Sequence, residues 1–233
     1  MRRIVCPERN DWQATAAAMG FSFHTLDGER YWDERAYYAF TLEEIERDIE
    51  APTAELEAMG RELVERAVAD DRILRILKIP ERYWNFIASS WKRGDKSLYG
   101  RLDLRYDGNG PAKLLEYNAD TPTALYEASV VQWRWLVDRD PAADQFNTIQ
   151  ERLIAHWPAC AAGASEVHFA TLRDVEEELL TAEYLRECAN AAGVATRAID
   201  IGDIGWNGAN FVDGDERTIA ALFKLYPSEW LAA

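Results

Sequence analysis

The sequence predicts a mixed α/β fold, with a helical amino-terminal part over residues 1–100 and a β-hairpin plus a small α/β layer over residues 101–233. Three observations lead there. Apolar residues Ile45, Ile49, Leu56, Met59, Leu63, Ala67 and Leu74 recur at near-helical spacing. Two strand-like runs flank Asp107-Gly108-Asn109-Gly110-Pro111, a turn signal made of residues that tolerate positive φ or fix a bend. After residue 160, helical and strand-like stretches alternate, as they do where helices cover a sheet.

Taken in order, the chain opens on a short extended stretch and a helix over about residues 11–19, with Asp11 as its cap. The aromatic segment FSFHTLDGERYW follows, and its closing Tyr-Trp pair recurs at Tyr83-Trp84. Thr41-Leu42-Glu43-Glu44 has the capping-box form and opens a long helical region to about Leu77, with a kink or break at Ala51-Pro52. A helix over 81–91 leads into the basic loop KRGDK. Beyond the hairpin, helices are predicted over 124–137, 146–156 and 177–191, and strands over 167–171 and 195–201. Residues 218–225 form an apolar β-like run, and 226–230 resemble a helix start with only three residues after it. A helix needs more than a turn to offset nucleation. The end therefore reads as a break in a longer protein.

Composition narrows the class. Apolar residues make up 48% of the 233, enough for one large core or two small ones. Cys6, Cys160 and Cys188 are scattered and odd in number, which argues against a disulfide framework or a structural zinc site. His156 and Cys160 stand at i, i+4 spacing, but no further ligand lies nearby, so a chance pair on a helix is the better reading. No leader-type apolar segment follows the two amino-terminal arginines, and no run approaches the ~18 apolar residues of a membrane span. A cytoplasmic location is expected. The net charge of −15 disfavours nucleic acid and anionic membrane as partners. It is compatible with steering a polycationic amine, although a merely solubilising acidic surface explains it better.

The aromatics Trp12, Tyr31, Trp32, Tyr83, Trp84 and Trp91 could line a pocket for a cation, but core packing is their better default. His24 and His168 read as satisfied structural histidines.

The chemistry concentrates in RLDLRYDGNGPAKLLEYNADTPT, residues 101–123. With Asp107 opposite Ala112, Asp103 falls opposite Glu116 and Arg101 opposite Asn118. Strand alternation puts Arg101 with Asp103 on one face, and Glu116 with Asn118 and Asp120 on the other arm's face. Carboxylates facing each other across a ladder are destabilising unless a cation sits between them. Clustered carboxylate and amide oxygens are what Mg²⁺ accepts, usually together with substrate phosphates. On the same residues, Arg101, Arg105 and Lys113 could instead pair with the acids on a solvated face, and both readings stay open at this point.

The run KLLEYNADTPTALYEA, with RLDL upstream and GFSFHTLDGERYWDERAYY near the start, resembles the glutathionylspermidine synthase family of ATP-grasp ligases. The likeness continues through YWNFIASSW, DQFN and FKLYP, along nearly the whole chain. The resemblance implies an incomplete ATP-grasp-type (preATP-grasp) fold and an ATP-dependent amide ligase. A peptide carboxylate attacks the γ-phosphate of ATP, and an amine opens the resulting acyl phosphate. It also implies Asp103, Glu116 and Asn118 as Mg²⁺ ligands and Arg101 as the catalytic clamp on the peptide and the transferring phosphoryl group. Thr121 and Thr123 are implied to hold a glutathione-like peptide, and Glu177 to bind substrate, alongside a spermidine-like amine as the second substrate. Glu177 is a loose match, since Glu176 and Glu178 adjoin it and a solvated first turn of a helix accounts for all three.

The chain departs from the family pattern by holding no recognisable nucleotide loop. There is no GxxxxGK[ST], and Gly202, Gly205 and Gly208 lack the spacing of a dinucleotide loop. Most of the ATP site is therefore expected outside these residues. Two alternatives stand beside the ligase: a non-catalytic peptide or polyamine-binding module, and a subunit that lacks its own nucleotide site.

Overall fold

The computed structural model describes residues 1–231, which form two compact units interleaved in sequence. The smaller holds Met1–Arg2, Ala39–Ser97 and Leu102–Tyr117; the larger holds Arg3–Tyr38, Leu98–Arg101 and the chain from Asn118 onward. The mixed α/β class is the one expected.

The larger unit starts with β1 (Arg2–Val5), α1 (Trp12–Ala18), the short hairpin of β2 (Thr25–Leu26) and β3 (Glu29–Arg30), and β4 (Ala36–Ala39), which pairs with β1. Asp11 precedes α1 but does not cap it through its side chain. Its backbone is left-handed (φ 53°), and a cap carboxylate reaches the first-turn N–H groups from extended backbone. Its carbonyl instead accepts from Thr15 N at 3.1 Å.

In the smaller unit the capping box forms as expected. Thr41 N donates to Glu44 Oε2 at 2.9 Å, and Glu44 N to Thr41 Oγ1 at 3.2 Å. A widened π-type turn over Glu44–Glu50 then leads into α2 (Ala51–Ala69). Pro52 sits in the first turn of α2, where a missing N–H is tolerated. The carbonyl of Asp48, to which residue 52 has no N–H to give, accepts from Ala112 N at 2.7 Å. The expected single helical region also breaks at Asp70, which is extended and whose carboxylate accepts from Arg72 N, opening α3 (Asp71–Ile76). Next, α4 (Trp84–Arg93) contacts α2, with the Arg61 guanidinium 5.4 Å from the Trp91 ring centre. Strands β5 (Arg101–Arg105) and β6 (Lys113–Asn118) pair as the predicted hairpin. Its bend uses positive φ at Gly108 and Gly110, and Asn109 N donates to Asp107 Oδ1 at 3.0 Å.

The larger unit resumes with a π-type turn over Glu127–Val131, α5 (Gln132–Arg139) and α6 (Ile149–Cys160). The α/β layer follows: β7 (Val167–Thr171), α7 (Glu176–Ala191), β8 (Thr196–Asp200), the two-residue strands β9 (Gly205–Trp206) and β10 (Phe211–Val212), β11 (Leu222–Lys224) and α8 (Ser228–Leu231). The sheet is parallel in the order β11-β7-β8, with Phe169 opposite Phe223 on one side and Ala198 on the other. Every residue of β7 is buried, as a central parallel strand requires. Phe169, Trp157, Leu185 and Phe21 belong to the core on this sheet.

The histidines divide. His24 packs edge-on against Trp12 and bonds Thr25 Oγ1 at 3.0 Å. His168 is satisfied at one ring nitrogen only: Nε2 lies 3.3 Å from Asp213 Oδ2, whereas Nδ1 is buried without a partner. Of the aromatics expected in the core, Trp12 lies in it and Trp32 packs against it, whereas Tyr31 is exposed and Tyr83, Trp84 and Trp91 are half-buried. Among the described residues no helix is long and apolar enough to cross a membrane.

Phe169 is 1% exposed between Trp157 and Phe223, at ring-centre distances of 5.2 and 5.3 Å. Phe169→Ala is expected to cost about 3–5 kcal/mol. Trp206→Ala, on an exposed strand, stays within about 0.5 kcal/mol. Urea unfolding of both variants, followed by circular dichroism, checks the contrast.

Candidate functional site

In the larger unit, the segment following β6 is pinned at nearly every residue. The Asn118 Oδ1 accepts from the N–H groups of Asp120 and Thr121, each at 3.1 Å, closing an Asx turn. Asp120 receives Lys224 Nζ at 2.6 Å, Ser228 N at 2.7 Å and Ser228 Oγ at 2.8 Å. The Tyr99 hydroxyl donates to the Pro122 carbonyl at 2.6 Å. Arg101 Nη1 lies 3.4 Å from Thr123 Oγ1 and 3.5 Å from the Thr123 carbonyl. Directly after it, Ala124 has a left-handed backbone (φ 63°), sparsely populated for a residue with a Cβ.

Lys224 ends β11. The loop is thereby tied to the carboxyl end of the parallel sheet, the edge at which open α/β sheets take their ligands. Partial burial disfavours the charge on Asp120, but Lys224 and Ser228 outweigh it and hold the carboxyl below the ordinary aspartate range.

A second cluster in the same unit involves Arg101 again. The Tyr31 hydroxyl donates to Glu127 Oε1 at 2.7 Å. Glu127 is 6% exposed, and its Oε2 is buried with no partner. Burial pushes the Glu127 carboxyl up; the Tyr31 bond opposes this, and the nearby charge of Glu177 adds to it. Tyr31 is pushed up by burial and by its bond to Glu127, with Glu177 and Arg101 both close enough to act on it in opposite directions. The three glutamates opening α7 thus separate. Glu176 accepts from Ser22 Oγ at 2.7 Å, Glu178 has a buried Oε2 without a partner, and Glu177 is the one that acts on both Tyr31 and Glu127.

Arg101, Thr123 and Glu177 therefore share one neighbourhood with Tyr31, whose default reading from sequence was core packing, and with Glu127, to which sequence reasoning assigned no role. Glu127 carried a usable signal: a carboxylate inside the apolar stretch ALYEASVV.

In the smaller unit, Asp103 lies on β5 and Glu116 on β6, the first half-buried and the second exposed. Carboxylates and the amide of Asn118 are hard oxygen donors, so the donor set suits Mg²⁺. Ligation by Asn118 Oδ1 competes with the two N–H groups that it now accepts. Among the described residues no three His, Cys, Asp or Glu side chains converge as a metal-holding group, His156 and Cys160 included.

A cavity of about 390 Å³ beside β8 is lined by none of the sequence-predicted site residues. Its two arginines are engaged by its acids: Arg173 bonds Asp200 at 3.0 Å and Asp203 at 2.9 Å, and Arg197 lies 3.6 Å from Asp213.

Comparison with known proteins places the chain in a family. Residues 3–233 match the glutathionylspermidine synthase preATP-grasp family, and the chain belongs to it. It is 38% identical over 247 aligned positions, covering 100% of this chain and 61% of the relative, to a Haemophilus influenzae protein provisionally named an acid–amine ligase. It is 28% identical to the bifunctional glutathionylspermidine synthetase/amidase of Escherichia coli K12, over 84% of this chain and 32% of that protein. It is also 33% identical to the trypanothione synthetase of Crithidia fasciculata, over 57% of this chain and 21% of that protein. The chain thus spans at most about three fifths of these relatives.

Because the Asp120 carboxyl is depressed in the fold, its network stabilises the protein fully above the ordinary aspartate pKa of ~3.9 and is lost as pH falls through the lowered value. Lys224→Met is expected to move the Asp120 titration upward, so that the Ser228 amide signal responds at higher pH. An NMR titration of that amide in both proteins checks the direction.

Proposed function

We propose that this chain carries the peptide- and metal-recognition part of a cytoplasmic, ATP- and Mg²⁺-dependent ligase that joins a peptide carboxylate to an amine. The observation that carries the reading is Arg101 seated on Thr123 within a loop pinned from three sides. Such fixing is what phosphoryl transfer asks of a protein, since positioning and charge stabilisation supply most of its catalysis.

In this reading the peptide carboxylate lies against Arg101, whose guanidinium stabilises charge as the γ-phosphoryl group is transferred. Thr121 and Thr123 offer hydroxyls to a glutathione-like peptide, and Glu177 draws the amino group of the peptide or of a spermidine-like amine. Asp103, Glu116 and Asn118 would hold Mg²⁺, which supplies neutralisation of the phosphate charge. The amine attacks the activated carbonyl, and phosphate leaves. No side-chain nucleophile is needed. The family membership and the acid–amine ligase likeness support this assignment.

The test is phosphate release by the full-length gene product with ATP, Mg²⁺, glutathione and spermidine. Arg101→Ala is expected to lower turnover by about 100-fold or more, the scale of losing a transition-state donor. Asp103→Asn is expected to raise the Mg²⁺ concentration needed for half-maximal rate. Full turnover by an Asp103→Ala, Glu116→Ala double variant would refute the metal assignment.

A further inference from the structure

We infer that Tyr31, anchored by the buried Glu127, is a specificity-determining residue that accepts an N–H from the ammonium group of the substrate, with Glu177 supplying the opposing charge. The inference rests on the proposed substrate site and names a subsite within it.

The argument begins with the single proton of the phenol. Tyr31 donates it to Glu127 Oε1 at 2.7 Å, so the oxygen has only lone pairs left to offer. The phenol is raised well above its ordinary range, so it keeps that proton at neutral pH. Tyr31 is 42% exposed as a residue, with its hydroxyl end partly desolvated, whereas its partner is sealed from water. A phenol held this way is an acceptor, and it selects ligands that donate.

Glu127 does not earn its place through stability. One oxygen is buried with nothing to bond, in a stretch where Leu125, Tyr126 and Val131 build the core. A buried carboxylate left half-satisfied is unfavourable compared with an apolar side chain of similar volume. Its visible effect is to orient Tyr31, which makes it a positioning residue. The aromatic packing of Tyr31 against Phe21 and Phe23, at ring-centre distances of 6.3 and 5.8 Å, fixes the ring from the other side.

Charge decides the donor. Glu177 acts on both Tyr31 and Glu127, so the outward face of the phenol is biased toward a cation. An ammonium donates N–H and carries that charge.

The experiment is calorimetry with Mg²⁺ present, using glutathione, its analogue with the α-amino group replaced by hydrogen, and spermidine. Tyr31→Phe is expected to weaken glutathione binding about tenfold, one hydrogen bond's worth, while leaving the deaminated analogue unchanged. Glu127→Ala should reproduce that loss, and Glu127→Gln, whose amide oxygen can still accept from the phenol, should restore it. A loss seen with spermidine and not with glutathione supports the subsite with the amine substrate as its occupant. Equal weakening of the deaminated analogue, or wild-type binding of both glutathione and spermidine by Tyr31→Phe, overturns the inference while the proposed function stands. Should the wild-type protein bind neither glutathione nor spermidine, the proposed function falls and this subsite with it. Thermal unfolding of each variant is measured alongside, and if Glu127→Ala fails to fold, Tyr31→Phe alone decides.

Discussion

The bond between Lys224 and Asp120 couples the loop after β6 to the end of β11, and the geometry of the larger unit's site depends on it. Without it, the residues 118–124 would be an exposed run of small and polar side chains, the kind of segment that stays mobile. With it, the Asx turn at Asn118, the Tyr99 bond to Pro122 and the Arg101 contact to Thr123 all act on a backbone already fixed at its midpoint. The left-handed Ala124 fits this picture, since strained backbone persists only where surrounding contacts over-determine it. The parallel sheet is the rigid end of the device. Its central strand is wholly buried, so the position of Lys224 is set by core packing and not by the loop.

Electrostatics act on two scales. A net charge of −15 biases the whole molecule toward cations and says nothing about where they bind. Locally the pattern is finer: Arg101 and Glu177 act on Tyr31 with opposite signs and Glu177 also acts on Glu127, whereas the four aspartates lining the cavity beside β8 are engaged by Arg173, Arg197 and Arg217. Charges already neutralised by neighbours have little left for a ligand.

Much of the fold was legible in the residues because its signals are local. The Thr41–Glu44 box, the glycine-rich bend between β5 and β6, and the alternation of β7, α7 and β8 each depend on a few neighbours in sequence. Where the reading missed, a longer-range or backbone effect intervened. Asp11 carries the right side chain for a cap in the wrong backbone region, and Asp70 breaks a helical pattern that apolar spacing alone would have continued. In the candidate site, Arg101 and Thr123 were both singled out from sequence, and the structure places them in contact. The partnership of Tyr31 with Glu127 joins residues 96 positions apart, which no local pattern encodes. Among three adjacent glutamates, only the positions of Ser22, Tyr31 and Glu127 single out Glu177.

The central claim is that a peptide substrate seats on the pinned loop beside Arg101. The most direct measurement is NMR mapping of backbone and side-chain shifts as glutathione is added with Mg²⁺ present. The account predicts that the largest changes fall at Arg101, Thr121, Thr123, Tyr31 and Glu177. Unchanged signals at those residues, with changes gathered instead at Arg173, Arg197 and Asp215, would contradict it.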